Sequence, residues 1–596
     1  MGSCGMSFDV IIKGGRWFDG TGAPSAVRHL GITAGRVEVI SGTPLDETGC
    51  DRVVDADGQW VLPGMVDIHT HYDVEVLEQP ELVESLRHGV TTILIGSCSL
   101  STIHVDPTTA GDLFGRVEAI PRRHVIESLQ DKKTWRTAGE YVAALEALPL
   151  GPNLAAFIGH SDIRSAEMGL DRATRKDVRP TEAELTTMAA HLEEALDEGF
   201  VGMSAQELMF DKLDGETCRS RTLPSTYAAG KERRRLNSLL RERGRVLQGG
   251  PDITSIRSIA SMTLNTLPIG LRRWGRSRKH LKTSLLSAAD IKANPGLVQI
   301  MGPIAATMNA LGGDFRWQHL PVPFEVYADG IDLVIFEEFG SGAAALHLAD
   351  AVERNALLQD EDYRRQFRKD YDAKFGMRVW HRDFFDAEIV DCPDDTVIGK
   401  TFGQVGLDRG GLHPVDAFLD LVVEHGTKVR WRTTISNHRP KYLAKLGKSP
   451  GVQIGFSDAG AHLRNMAFYN FGLRFLRRVY DAERAGRPFM TLEHAVHRLT
   501  GELGEWYSID AGHLRVGDRA DVVVIDPARL DDTLDAYAES PVPAYGNLSR
   551  MVNRNDDVVT AVFVNGEYVF GKGEAADTLG KERVGRFLRA DTNRAR

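Results

Sequence analysis

The middle of the chain alternates short apolar runs with amphipathic helical patterns, and this alternation constrains the fold more than any other feature. It is typical of βαβ units, in which helices cover a parallel sheet. One helix is clearly delimited, because Thr181 and Glu184 form a capping box before an amphipathic run that ends at Gly199. Eight candidate strands lie at residues 65–69, 90–95, 154–158, 200–204, 246–248, 297–301, 429–435 and 452–457. Eight parallel strands predict an α/β protein built on a (β/α)8, TIM-like barrel.

Short strands separated by turns are predicted at both ends of the chain. An apolar or β-branched run occupies residues 37–40, and similar runs near the other end occupy 520–525 and 558–564. The last of these is followed by Asn565-Gly566, which is a strong hairpin signal. We therefore expect one small β-sandwich domain assembled from both ends of the chain.

The predicted organisation has four parts. One stretch inside the barrel region is too long for a single connection, so inserted helices are expected there. In chain order, the parts are the first portion of the small β domain at 1–62, the barrel at 63–505 with inserted helices around 312–400, the second portion of the small β domain at 506–575, and a tail at 576–596.

Charge and cysteine content limit the classes of partner. The 596 residues carry a formal net charge of -11, so a basic face for nucleic acid or an anionic membrane is not expected. The five cysteines are odd in number and scattered, which fits a reducing compartment rather than a disulfide framework. No run approaches the roughly 18 apolar residues of a membrane span. We therefore expect a cytoplasmic protein, monomeric or homo-oligomeric, that acts on a small molecule.

The sharpest local signal is the run VLPGMVDIHTH at residues 61–71, an apolar strand that ends in two histidines. Residues two apart on a strand face the same way, so the imidazoles of His69 and His71 can reach one ion. Active sites of parallel barrels gather at the carboxyl ends of the strands, where this pair falls. A solvent-exposed histidine pair is the alternative, but the strand, the Pro-Gly turn and Asp67 favour a metal site.

Two further strand ends carry candidate metal ligands. Cys98 follows an apolar run at 92–97. A lone buried cysteine is usually just a small apolar residue, but this position at a strand end favours a thiolate ligand. Asp458 follows the last candidate strand, and the last strand of a barrel lies beside the first. Its carboxylate is therefore predicted to bind the metal and to accept the proton of the attacking water.

Four more polar residues lie close to strand ends, and each has a structural alternative. His160 is a candidate substrate-binding residue, although a hydrogen-bonded structural histidine is the more common case. Arg164 could bind a substrate carboxylate through a bidentate pair or form an internal salt bridge. His438 and His462 flank the last strand, where either a metal or substrate role or local hydrogen bonding is expected.

The run PGMVDIHTH at 63–71 resembles the opening motif of the amidohydrolase superfamily, and GHLRVGDRADVVV at 512–524 resembles its closing motif. Both stand in the expected order and together span nearly the whole chain. Within the superfamily, GSC at 96–98, FIGH at 157–160 and GMS at 202–204 resemble the N-acyl-D-amino-acid deacylase, or D-aminoacylase, branch. The resemblance implies a barrel with a composite β domain, and zinc-dependent hydrolysis of an acyl group from an amino acid.

The resemblance also implies a ligand set. His69, His71, Cys98 and Asp458 match metal-ligand positions, with Asp458 also the proton acceptor. One zinc ion per chain is the expected cofactor, and a linear amide such as an N-acyl D-amino acid is the expected substrate. Hydrolysis of a cyclic amide such as a hydantoin or lactam is one alternative. A catalytically inactive metal-binding relative is another.

The chain departs from the family pattern at two strands. The family supplies a histidine from each of the fifth and sixth strands, but the segments RVLQGG at 245–250 and LVQIMG at 297–302 contain none. Gln248 is left there as a weak substitute ligand or a substrate hydrogen-bond partner. The remaining donors could fill all four positions of a zinc ion, which would make the site structural unless Cys98 or Asp458 gives way to water.

Overall fold

Parallel strands form a closed barrel at the centre of the molecule. The structure is a computed structural model and describes residues 7–268, 279–348, 350–374, 376 and 378–591. Strands that are neighbours in the barrel pair in parallel, and the barrel closes where His69 pairs with Phe456. The barrel strands are Met65–Asp67 continuing as His69–Thr70, Val90–Ile95, Asn153–Gly159, Gly202–Gln206, Val246–Gly250, Lys282–Leu285, Asp314–His319, and Val452–Ile454 continuing as Phe456–Ala459. The predicted barrel is confirmed.

Two of the eight segments predicted to be barrel strands are not part of the barrel, so the prediction was wrong there. Residues 297–301 begin the helix Leu297–Ala310, because a short apolar run does not by itself distinguish a strand from a helix. Residues 429–435 do form the strand Arg430–Ser436, but it pairs outside the barrel. The sixth and seventh barrel strands are instead Lys282–Leu285 and Asp314–His319, whose polar residues hid them from a search for apolar runs.

Helices cover the outside of the barrel, and Thr181 opens one of them with the predicted capping box to Glu184. None of the described helices is long and apolar enough to cross a membrane. The helices of this layer are Glu75–Glu78, Val83–Arg87, Pro107–Val117, Arg122–Lys132, Ala138–Ala147, His160–Met168, Leu170–Ala173, Glu182–Asp197, Gly230–Arg243, Ile256–Leu264, Leu297–Ala310, Pro440–Gly447, Phe471–Arg484, Leu492–Leu499 and Gly501–Tyr507.

Strands from both ends of the chain share one sheet. Trp60–Pro63 pairs with Val522–Ile525, which joins the early strands to the late ones immediately before the chain enters the barrel. The strands of this sheet are Val10–Trp17, Ala26–Thr33, Arg36–Ser41, Arg52–Asp55, Trp60–Pro63, Val522–Ile525, Val559–Val564, Glu567–Gly571 and Glu574–Ala575. A separate hairpin comprises Tyr537–Val542 and Leu548–Asn553.

An inserted unit separates the seventh and eighth barrel strands and has its own hydrophobic core. Its aromatic centre includes Phe418, which stacks on Phe384 with ring centroids 4.7 Å apart and packs edge-on against Trp431 at 6.0 Å. Its elements are the antiparallel strands Phe324–Asp329, Glu388–Asp391 and Arg430–Ser436 and the helices Gly340–His347, Ala351–Gln359, Glu361–Asp372, Phe402–Asp408 and Pro414–His425.

The stretch predicted to be a tail packs against the barrel as far as residue 591. Leu588 donates its backbone N–H to Leu154 at 2.6 Å, and Ala590 donates to Gly199 at 2.8 Å. Both acceptors lie at the amino ends of barrel strands, so this segment covers the end of the barrel opposite the His-x-His motif. Phe587 is buried there. Residues 592–596 lie outside the described part of the chain.

Candidate metal centre

The two histidines of the first strand are buried at the carboxyl end of the barrel, as their spacing predicts. His69 is 1% exposed and His71 is inaccessible to solvent. Strand geometry brings the rings together at a centroid separation of 5.3 Å. Gly460 lets the last strand approach this point, because a Cβ there would stand 2.8 Å from the His71 carbonyl carbon, and its φ is +89°.

The orientation of the His69 ring is set by the seventh barrel strand. Gln318 places its Oε1 2.7 Å from His69 Nδ1, and its Nε2 donates to Ser284 Oγ at 3.0 Å. Because the glutamine oxygen accepts, the proton of His69 lies on Nδ1. The Nε2 lone pair is then free to face the site, which is how metal-binding histidines are commonly held.

The third donor, Cys98, lies on a strained turn after the second barrel strand. Its φ is +52° and that of Ser99 is +70°, values that residues with side chains seldom adopt. The turn places Cys98 Sγ 3.3 Å from His69 Nε2. Gln248 holds this turn, since its Oε1 accepts the backbone N–H of Cys98 at 3.2 Å and its Nε2 donates to Ser97 Oγ at 3.2 Å.

The ligand atoms of His69, His71 and Cys98 all lie within 4.8 Å of one another. His71 Nδ1 is buried without a hydrogen-bond partner among the described residues, and His71 Nε2 faces the carboxyl groups of Asp458 and Glu118 at 3.2 and 3.4 Å. Buried polar atoms are normally satisfied, so the unpaired Nδ1 and the carboxyl groups around Nε2 suit a site for a cation better than simple packing. Two imidazoles and a thiol form a nitrogen and sulfur donor set that suits zinc.

Asp458 completes the group from the last strand. Its Oδ1 lies 3.2 Å from His71 Nε2 and 3.6 Å from His69 Nε2. Its φ of +62° is a second strained backbone conformation at the site. Burial alone would raise the pKa of Asp458, but hydrogen bonding and charge from His71 and His69 hold the pKa well below its usual range. The carboxylate is therefore ionised near neutral pH.

Two acidic residues near these donors escaped the sequence analysis. Glu118 Oε2 lies 3.4 Å from His71 Nε2 and 3.8 Å from His462 Nε2, and the His462 backbone N–H donates to the Glu118 carbonyl at 2.6 Å. Asp211 accepts a hydrogen bond from Gln206 at 2.7 Å and lines the same cavity. Burial raises the pKa of Glu118 to about 8 and that of Asp211 to about 7.

The same acidic surroundings act on the histidines and the thiol. Burial lowers the pKa of His69 to about 4, so this imidazole is neutral. Burial would also lower the pKa of His71, but the Glu118 and Asp458 carboxylates outweigh it and raise the pKa to about 9. Burial, reinforced by Glu118 and Asp458, raises the pKa of the Cys98 thiol. The centre therefore favours a positive charge, and a thiolate there needs a cation beside it.

The remaining predicted site residues divide between the cavity and the scaffold. His462 lines the cavity that contains the metal donors. His160 Nε2 lies 2.9 Å from Glu232 Oε1, and Arg164 pairs with the same carboxylate in a buried cluster away from that cavity. His438 is paired loosely with a buried aspartate, its Nδ1 being 3.8 Å from Asp290 Oδ2.

Neither the fifth nor the sixth barrel strand supplies a histidine. The fifth barrel strand carries Gln248, and the sixth, Lys282–Leu285, reads KTSL. Gln318, Glu118 and Asp211 are the residues at the site that the sequence did not reveal. Gln318 lies on a strand that the apolar pattern missed, and Glu118 follows the helix Pro107–Val117, where no strand end signals a site.

Comparisons with known proteins identify relatives of this chain. The model of a family described as the amidohydrolase family matches residues 52–245. An uncharacterized protein of Mycobacterium tuberculosis strain H37Rv is 55% identical over 593 residues, covering 98% of this chain and 96% of its own. A D-aminoacylase of Alcaligenes xylosoxydans is 30% identical over 203 residues, covering 33% of this chain and 37% of its own.

The fold is also that of a solved structure. The crystal structure of N-acyl-D-glutamate deacylase from Bordetella bronchiseptica, complexed with zinc and a phosphonate inhibitor, superposes with a TM-score of 0.62. The two sequences are 22% identical, and the match covers 98% of this chain and 100% of the other. Together with the opening and closing motifs, these matches show that the chain belongs to the amidohydrolase family.

Proposed function

We propose that this chain is a metal-dependent hydrolase that cleaves the C–N bond of a linear amide. In this proposal, His69, His71 and Cys98 hold one divalent ion per chain, most simply zinc. Asp458 acts as the proton acceptor and lies close enough to be a fourth ligand. The observation that carries the proposal is the convergence of two imidazoles, one thiol and one ionised carboxylate at the carboxyl end of a barrel.

The donor set itself supports a soft, tetrahedral metal. Magnesium and calcium sites are built from oxygen, whereas a Cys98 ligand favours zinc. A bound zinc ion supplies Lewis acidity toward a carbonyl oxygen and lowers the pKa of water to about 7. His69 contributes an Nε2 lone pair already oriented by Gln318, so little reorganisation is needed on binding.

The protein side of the reaction follows from charges at the site. Asp458 is ionised and lies on the cavity wall, so it can take a proton from an attacking water and return it to the leaving amine. Glu118 Oε2 lies 3.4 Å from His71 Nε2, so this carboxyl group orients the imidazole from the cavity wall. Apolar residues of the inserted unit, including Val326 and Leu333, line the same space.

The family relationship makes an N-acyl amino acid the first linear amide to test. The relatives described above include proteins named as a D-aminoacylase and an N-acyl-D-glutamate deacylase. Cyclic amides are the second substrate class, because the same donors could act on a hydantoin or lactam. The third reading is an inactive metal-binding relative. The cavity that opens directly on the donors argues against it, since structural zinc sites are closed.

Hydrolysis assays with matched panels test the proposal. One panel contains N-acyl amino acids of both chiralities and their amides, and the other contains hydantoins and lactams. The proposal predicts amine release from the linear panel, loss of activity after metal removal, and recovery on adding zinc. If protein that retains its metal hydrolysed no compound of either panel, the result would favour an inactive metal-binding relative.

A further inference from the structure

The metal centre opens into two cavities that share a wall. The nearer cavity, of about 220 Å³, contains the donors, and the farther one has a volume of about 300 Å³. Leu208, Phe210, Leu286 and Phe324 line both, so these side chains stand between the two spaces. The farther cavity is therefore the apolar space next to the metal centre.

The farther cavity is almost entirely apolar. Its walls include Ile253, Ile259, Met301, Ile304 and Trp317. All of these except Trp317 are only partly buried, which leaves large apolar surfaces facing the space. Such a surface gains free energy when an aliphatic group covers it, and it offers few partners to a polar one.

Carboxyl groups and imidazoles line the nearer cavity. Glu118, Asp211 and Asp458 line it, and neither lysine nor arginine lines either cavity among the residues that the structure describes. A Cys98 thiolate and the Asp458 carboxylate would balance a bound dication, and the carboxyl groups of Glu118 and Asp211 add no positive charge. A substrate carboxylate would lose its hydration here without gaining a lysine or arginine partner among the described residues.

We infer that the substrate is an amide with one long aliphatic substituent and no carboxylate. This inference rests on the proposed function and specifies its substrate class. The aliphatic substituent occupies the farther cavity, and the rest of the amide is neutral or cationic. In the reaction the C–N bond breaks and a C–O bond forms. Water supplies the hydroxyl of the acid and the proton of the amine, so no other reactant is needed.

Chain length and charge are tested with four amides and the metal-containing full-length protein. N-Acetylethanolamine is the short compound, N-dodecanoylethanolamine and N-dodecylacetamide are the long neutral ones, and N-dodecanoylglycine carries a carboxylate. Each buried methylene is worth about fourfold in binding. We expect kcat/KM of at least one long neutral amide to exceed that of the short one by about 100-fold or more. We also expect the ethanolamine compound to exceed the glycine compound by at least tenfold. A higher kcat/KM for N-acetylethanolamine than for both long neutral amides, or for N-dodecanoylglycine than for N-dodecanoylethanolamine, would overturn the inference.

A matched pair of variants tests whether the aliphatic substituent of the substrate lies in the farther cavity. Ile259 lines that cavity, whereas Ile256 on the same helix, Ile256–Leu264, is 82% exposed. Ile259→Trp should lower the long-to-short ratio of kcat/KM at least tenfold. Ile256→Trp should leave the ratio within twofold of the wild type. If both variants and the wild type had equal long-to-short ratios of kcat/KM and unchanged circular dichroism spectra, the aliphatic substituent would lie elsewhere. That result would contradict the inference.

A binding measurement separates failure of the inference from failure of the proposed function. The ketone 2-tridecanone has the same aliphatic character but no C–N bond to cleave. Calorimetric binding of 2-tridecanone that Ile259→Trp weakens would support the apolar site even if no amide were hydrolysed, and only the proposed function would then fail. Hydrolysis confined to short acyl amino acids, with no binding of the ketone, would support the function and overturn the inference.

Discussion

Gln318 Oε1 accepts a hydrogen bond from His69 Nδ1 over 2.7 Å, linking the seventh barrel strand to the first. The contact fixes both the tautomer and the ring angle of a proposed metal ligand. Ser284 fixes the glutamine in turn, because Gln318 Nε2 donates to its hydroxyl at 3.0 Å. The metal centre is therefore supported by a hydrogen-bond chain that reaches across the barrel interior.

Removing this support should weaken metal binding without removing a ligand. Gln318→Leu is expected to lower zinc affinity by about 10- to 100-fold, the usual effect of losing such a partner. Gln318→Glu keeps an acceptor oxygen opposite Nδ1 and should restore most of the affinity. Zinc affinity is measured by competition with a chromophoric chelator. Equal affinities for the wild type and Gln318→Leu would show that Gln318 does not position His69.

Asp458→Asn should lower the rate of amide hydrolysis while leaving metal binding largely intact. The amide keeps the size of the side chain but cannot accept a proton, so kcat on the best amide substrate is expected to fall by about 10²- to 10⁴-fold. Because three other donors remain, most of the bound metal should stay. Metal content and kcat are measured on the same preparation. An unchanged kcat would remove Asp458 from the reaction.

Gly460 is expected to be intolerant of a side chain for steric reasons. Gly460→Ala puts a Cβ 2.8 Å from the His71 carbonyl carbon, at a φ of +89°. We expect a lower unfolding temperature and weaker metal binding, because the first and last strands must separate. Gly486 provides the control, since its φ is +67° but nothing lies within 4 Å of its Cβ position. Gly486→Ala should cost only the backbone strain, and metal binding should be unchanged. Similar metal affinities in the two variants would contradict this account.

The buried cluster of Glu232, His160 and Arg164 should make the stability of the protein fall as the pH becomes acidic. Burial would raise the pKa of Glu232, but His160 and Arg164 outweigh it and lower the pKa from 4.5 to about 2. A depressed carboxyl pKa stabilises the folded state above the unfolded pKa, and this contribution disappears as the pH falls from 4.5 toward 2. At neutral pH this contribution to the free energy of unfolding is about 3 kcal/mol.

Thermal unfolding at two pH values tests this. Glu232→Gln should unfold at a lower temperature than the wild type at pH 7, and the difference should shrink at pH 3.5. Glu242 lies on the same helix, Gly230–Arg243, and is exposed, so Glu242→Gln serves as the control and should match the wild type. A difference between Glu232→Gln and the wild type that does not change with pH would point to packing rather than charge.

The sequence predicted the barrel and the residues that converge on its carboxyl end. His69, His71, Cys98 and Asp458 each follow a recognisable strand, and a barrel brings such strand ends together. The positions of the sixth and seventh strands could not be read from apolar runs, because Lys282–Leu285 and Asp314–His319 carry polar residues.

The supporting residues were hidden for a different reason. Glu118 lies beside His71 only because the segment after a barrel helix folds back over the site. Gln318 is visible as a partner of His69 only once the barrel register is known. His160 and Arg164 illustrate the converse, since they lie at a strand end but pair with Glu232 in the scaffold. Position at a strand end suggests proximity to the site, but the direction of each side chain depends on tertiary packing.

The metal content of the full-length protein, purified without chelators, tests the central claim most directly. Elemental analysis of the wild type should find about one zinc ion per chain, and the double variant His69→Ala/Cys98→Ala should contain almost none. His438→Ala, which alters a histidine outside the donor group, should retain the wild-type content. Absence of metal from the wild type, or equal metal content in the double variant, would contradict a metal centre at these residues.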